Sequence, residues 1–275
     1  MSKYISWGLA VLAYASVACT GTGGKNSATT SADSFAVDSI VIEDSIPPFI
    51  NKPEVHPYHQ FKLKYLHLKN NTALQTEINR VILNGKLDSI SGLSPQDIGK
   101  KLYDKIKKEY QSEADGELEQ FASMGGWYYY HLQVLMVENS SRYLSLQWSE
   151  DTYTGGAHGY EAVIYSSFDK ERNQRITESD IFVEDYKEAL ASVIQDQLAK
   201  DLKVGSAEKL SEIGLFAPQE IEPNGNFLLT ESGIRYCYNP YEIGPYAMGH
   251  IYVHLSWDSV SELIRPGSIA EQYIK

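Results

Sequence analysis

Cysteine is scarce: the 275 residues include only Cys19 and Cys237. That excludes a disulfide-stapled scaffold and a multi-thiolate metal centre. Positive charge is short too, with 24 Lys and Arg against 36 Asp and Glu and a net charge of −12. Such a surface repels the phosphate backbone of nucleic acid and favours a basic partner. No long hydrophobic run occurs, and the stretch Tyr4 to Ala18 falls short of the ~20 apolar residues of a membrane helix. Catalytic signatures are missing as well: there is no G-x-S-x-G, Walker loop, G-x-G-x-x-G or H-E-x-x-H. No cofactor is implied and no catalytic residue is assigned. What is present is an ordinary globular composition, 43% hydrophobic and 22% charged, long enough for one large domain or two modest ones.

Residues 1–18 read as a signal peptide: Lys3, an apolar stretch, then Ala15-Ser16-Val17-Ala18 immediately before Cys19. The small-residue run before a cysteine resembles a bacterial lipoprotein signal, although Ser16 stands where leucine is usual. The resemblance implies lipidation at the Cys19 sulfur, cleavage before it, and a membrane-anchored protein of the cell envelope. Cleavage removes Lys3 as the only charge, so −12 becomes −13. The alternative is a plain cleaved signal with an incidental Cys19, free to pair with Cys237 in an oxidising compartment. If Cys19 carries lipid, Cys237 is expected to be a small buried residue in a strand. Residues 19–56 read as a flexible tether, poor in large apolar side chains, with a short Ile40–Ile42 run suited to an edge strand.

The body alternates runs of strand and runs of helix. Phe61, Leu63 and Tyr65 alternate with Lys62 and Lys64 in the period of a half-buried strand. Helices are expected over 72–83 and from Pro95, capped by Ser94, where the stripe Ile98, Leu102, Ile106 and Tyr110 leaves five lysines on a solvated face. Three strands follow (128–137, 143–148 and 160–168), then helical sequence opening at Ser179 or Asp185, then strands over 227–230, 234–238 and 250–256. Trp257 to Ile264 reads as a closing helix. The pattern predicts an α+β protein with antiparallel sheets and packed helices, in two closely associated subdomains, 57–149 and 150–275.

The densest unusual segment is Tyr153-Thr154-Gly155-Gly156-Ala157-His158-Gly159-Tyr160. Its glycines imply positive φ angles or close backbone approach, which presents His158 on a tightly specified loop. An imidazole there is either satisfied by the backbone or paired with a carboxylate for general-base work. His250 and His254 do not make a metal site, because four residues of strand span ~13 Å. No metal site is assigned. Twenty tyrosines suit strand packing and also protein or sugar recognition.

The glycine segment, Ile176-Thr177-Glu178-Ser179-Asp180-Ile181-Phe182, and Tyr238-Asn239-Pro240-Tyr241-Glu242-Ile243-Gly244-Pro245-Tyr246-Ala247-Met248-Gly249 together resemble the extracytoplasmic lysozyme-binding domain of the anti-sigma factor RsiV. Similar domains occur beside polysaccharide deacetylases and in bacterial lipoproteins. The resemblance covers about residues 150–265 and implies a non-catalytic binding module for an envelope protein, such as a basic lysozyme-like hydrolase, or for cell-wall glycan. Binding residues expected on that basis are Tyr153, Thr154, Gly155, Gly156, His158, Tyr241 and Tyr246. No cytoplasmic sigma-binding segment is present, so signalling through a sigma factor is not implied. The competing expectation is an envelope hydrolase or deacetylase-type enzyme centred on His158.

Overall fold

The computed structural model describes residues 37–49, 58–87, 89–90, 92–113 and 128–274. Cys19, the signal segment and the start of the tether lie outside the described residues. Nine strands are described. The first six form one sheet in the order β1-β2-β3-β4-β5-β6: β1 (Val37–Ile46), β2 (His59–Leu68), β3 (Tyr128–Asn139), β4 (Tyr143–Tyr153), β5 (Tyr160–Asp169) and β6 (Gln174–Arg175). The last three, β7 (Phe227–Thr230), β8 (Gly233–Tyr238) and β9 (Ile251–Ser256), form a second sheet. With helices between the strand runs, the fold is α+β.

The described residues divide into two compact units, drawn from 37–75, 83–134 and 150–160 for the first and from 76–82, 135–149 and 161–274 for the second. Residues 150–160 therefore go with the first unit and not with a C-terminal segment beginning at 150.

In the first unit, β2 buries Phe61, Leu63 and Tyr65 while Lys62 and Lys64 reach solvent, as the two-residue period requires. Antiparallel pairing of β1 with β2 runs from Val37↔Leu68 to Ile46↔His59. The tether reading thus fails over residues 37–46, where the Ile40–Ile42 run is the middle of a ten-residue edge strand. Helix α2 (Pro95–Glu113) packs on both β1 and β2. Gly99 allows the approach: a Cβ there would stand 2.6 Å from Ile42 Cδ1. Ser94 starts the helix, its Oγ accepting the Asp97 N–H at 3.2 Å, which satisfies one of the free amides of the first turn.

One pairing departs from the antiparallel expectation. β2 and β3 run parallel, His59↔Tyr128 to Lys64↔Gln133. Helices α1 (Thr72–Ile82) and α2 lie between them in the chain, and a crossover of that length brings the second strand back in the same direction.

In the second unit, helices α3 (Glu178–Ile181) and α4 (Tyr186–Asp201) share one apolar core with the β7–β8–β9 sheet. Ile181, Leu190, Ile194 and Leu198 meet Leu229, Ile234, Tyr236, Val253 and Leu255. Thr177 caps α3 in a reciprocal box with Asp180, two residues before Ser179, while Asp185, the other expected opening, takes the N-cap position of α4. A hydroxyl chain crosses the interior, where Ser145 Oγ donates to Leu229 O and Ser167 Oγ accepts the Leu229 N–H at 2.8 Å. The closing segment Asp258–Leu263 is a 3₁₀ helix. Among the described residues, no helix is long and apolar enough to cross a membrane.

Candidate functional site

Five of the expected binding residues lie in the first unit, Tyr153 at the end of β4 and Thr154, Gly155, Gly156 and His158 on the loop to β5. Gly155 and Gly156 adopt φ of +96° and +94°, a region that side chains with a Cβ enter only at a cost. Gly159 is needed for another reason: a Cβ there would lie 2.8 Å from Thr152 O and 3.0 Å from Tyr129 Oη. Tyr153 closes the turn by donating from Oη to Gly156 O at 2.8 Å. His158 is exposed and bonds through Nδ1–H to Gly159 O at 2.8 Å. The ring is therefore neither in an enclosed cleft nor buried.

Beneath the loop the strand residues form an aromatic row. Tyr153 lies 6.4 Å from Tyr128 and 6.0 Å from Tyr129, and Tyr129 stacks on His131 at 4.9 Å, all between ring centroids. Tyr128, Tyr129, His131 and Tyr153 are each half-buried, so each ring keeps part of its surface toward solvent. At the end of the row, His131 Nδ1 stands 3.9 Å from Asp151 Oδ2, while His131 Nε2 and Asp151 Oδ1 are buried without a partner. Burial, reinforced by Lys62 and opposed by Asp151, lowers the His131 pKa. This imidazole is accordingly neutral at pH 7 and able to accept a proton. No spacing signal in the sequence joins His131 to Asp151 across two strands.

Tyr241 and Tyr246 belong to the second unit and are described apart from the first five. Their ring centroids are 5.8 Å apart. Tyr241 is 58% exposed and held at φ +71°, an uncommon conformation for a bulky side chain. The loop around it is tied from several sides. Asn239 Oδ1 accepts the Val163 N–H at 2.7 Å, Asn239 Nδ2 and Asn224 Nδ2 donate to Glu242 at 3.2 and 2.8 Å, and the Tyr241 N–H donates to Gly244 O at 3.0 Å. Asn226, not singled out by sequence, is the buried pivot: it accepts the Tyr165 N–H and donates to both Val163 O and Cys237 O. Cys237 is fully buried in β8, and burial pushes its thiol up to about 12.

The same unit contains a polar cavity that the sequence did not point to, with Arg175, Glu178, Tyr186 and Asn224 in its wall. Among the described residues, no group of three His, Cys, Asp or Glu side chains is placed to hold a metal ion. His254 lies in β9 and His250 just before it, on the extended spacing that separates them.

Comparison with known proteins divides the chain in a similar way. Residues 54–161 match the family model described as Deacetylase PdaC, and residues 179–258 match that of a protein of unknown function, DUF3298. The glycine loop lies within the first match and the Tyr241 loop within the second. A DUF3298 family member from Bacteroides fragilis NCTC 9343 has a similar structure, with a TM-score of 0.76 and 24% identity over 87% of this chain and 97% of that one. Another, from Pseudomonas aeruginosa PAO1, gives a TM-score of 0.63 and 15% identity over 85% and 96%. At such identities the likeness is one of fold. No curated protein matches the chain.

Proposed function

We propose that this chain is a cell-envelope lipoprotein, anchored by lipid at Cys19, whose body is a non-catalytic binding module for cell-wall glycan. The observation that carries the reading is the half-buried aromatic row Tyr128–Tyr153–Tyr129–His131 under a glycine-shaped loop. Ring faces fixed in a strand framework offer flat amphipathic area at little entropic cost, which suits the apolar faces of sugar rings. The match of this region to a model described as a deacetylase is consistent with contact with an acylated polysaccharide.

Two further readings each rest on an observation. Tyr241 and Tyr246, exposed on a tied-down loop, and the charge of −13 expected after signal cleavage suit a basic protein such as a lysozyme-like hydrolase. The His131–Asp151 pair suits an envelope hydrolase, with the chemistry moved from His158 to a neighbouring imidazole.

The test is co-sedimentation with insoluble peptidoglycan, run beside lysozyme capture and a screen for glycan hydrolysis and deacetylation. Tyr153→Ala should weaken sedimentation by about tenfold, the worth of one aromatic contact. Undiminished sedimentation of a folded Tyr153→Ala rejects the glycan reading. Turnover that disappears in His131→Ala rejects a purely binding role. For the anchor, Cys19→Ala should release the body into a soluble fraction, and unchanged membrane retention would reject lipidation.

A further inference from the structure

The polar cavity of the second unit measures about 300 Å³, at the small end of the range for ligand sites. Its wall carries one charge of each sign, Arg175 and Glu178, which attract each other without direct contact. None of the ion pairs within 4.0 Å among the described residues includes either side chain.

Each charge is instead held in place by neutral groups. Arg175 Nη2 donates to Gly225 O at 3.0 Å, leaving Nε buried and without a partner. Burial first, and then the neighbouring Arg80, pushes the guanidinium pKa down against the attraction of Glu77 and Glu178, so its charge is only partly compensated. Glu178, 9% exposed, accepts the Gly225 N–H at 3.0 Å on one oxygen and the Tyr186 hydroxyl at 2.9 Å on the other. Each carboxylate oxygen keeps a lone pair for a further donor. A buried charge without its counter-charge is costly, and the usual remedy is a direct pair. Here both charges stand in the wall of an open volume without a direct pair between them. A ligand bearing both opposite charges would satisfy them together.

We infer that this cavity binds a small zwitterion, a free α-amino acid or a dipeptide, with its carboxylate on the Arg175 guanidinium and its ammonium on Glu178. The site is separate from the aromatic row, and either assignment can fail without the other. The Thr177 and Tyr186 hydroxyls of its lining are already engaged by Asp180 and Glu178, and the assignment is one of recognition.

Isothermal titration of the chain with glycylglycine, N-acetylglycylglycine and glycylglycinamide tests it. The uncapped dipeptide should bind, and capping either end should weaken binding by about tenfold or more, the scale of one charge-assisted contact. In Arg175→Gln the amide should bind no worse than the free acid, because the carboxylate has lost its partner. Glu178 bridges Gly225 and Tyr186, so Glu178→Gln is compared with the parent by thermal unfolding before its affinity is read. Should Arg175→Gln fail to fold, the capping series on the unaltered chain decides. Absence of binding at about 10 mM glycylglycine and alanine, where even a ~1 mM site is mostly filled, overturns the inference. Indifference to capping does so equally, as does parental affinity in a folded Arg175→Gln.

Discussion

The two loops that present the candidate binding residues solve one conformational problem in opposite ways. Between β4 and β5, the positive φ angles fall on Gly155 and Gly156, where the backbone adopts them without a steric penalty. In the second unit the positive φ falls on Tyr241, which is enforced by surrounding hydrogen bonds from Asn239, Glu242 and Gly244. Glycine makes the first loop's shape a local property of the chain. The second loop's shape is a property of the folded unit, and strain of this kind concentrates where a side chain must be aimed.

The largest expected effect separates the first unit by pH. His59 is buried, and burial takes its pKa from 6.5 to about 4. The fold disfavours the imidazolium, so the unfolded chain binds the proton first: stability is complete above about pH 6.5 and is lost as pH falls toward 4, by up to about 3 kcal/mol. Urea unfolding of the parent and His59→Leu across that window should show the variant losing less stability in acid. Equal losses would remove His59 as the cause.

Gly159→Val should cost about 2 kcal/mol, because its Cβ would be driven onto the Thr152 carbonyl. On the other loop Asn239→Ala should cost about as much, since the Val163 N–H loses its acceptor. A normal melting temperature for either variant would break the contrast on that side. Tyr241→Gly should raise stability by about 1 kcal/mol or less by relieving the left-handed backbone, while lowering capture of a protein partner. A clear loss of stability would mean that Tyr241 is a packing residue. His158→Ala is the smallest effect, within about 0.5 kcal/mol, since the side chain is exposed. Differential scanning calorimetry resolves all four.

What could be read from the chain follows the same division between local and enforced structure. The alternation at Phe61, Leu63 and Tyr65, the Ser94 cap and the glycine loop are each encoded within a few residues, and each was legible. The parallel β2–β3 pairing was not, because direction is decided by how a 59-residue gap folds back and no period in either strand reports it. Of residues 37–46 only the Ile40–Ile42 centre was legible, because the full length of that strand depends on its partners in β2. The Arg175–Glu178 cavity and the His131–Asp151 pair were invisible for a related reason: each joins side chains that are unremarkable alone and acquire meaning only by proximity. The fold class, by contrast, needed only the order of periodic segments.

Cys237 offers a way to watch the second unit from within. Its sulfur is sealed in β8 and its thiol is held almost wholly protonated at neutral pH, while its carbonyl is gripped by Asn224 and Asn226. A body begun after Cys19 carries no other thiol. Alkylation by a maleimide must therefore wait for the sheet to part, so the labelling rate becomes a stopwatch for opening of that strand. A ligand that fills the neighbouring cavity would slow the stopwatch, and one held only at the first unit's tyrosines need not touch it.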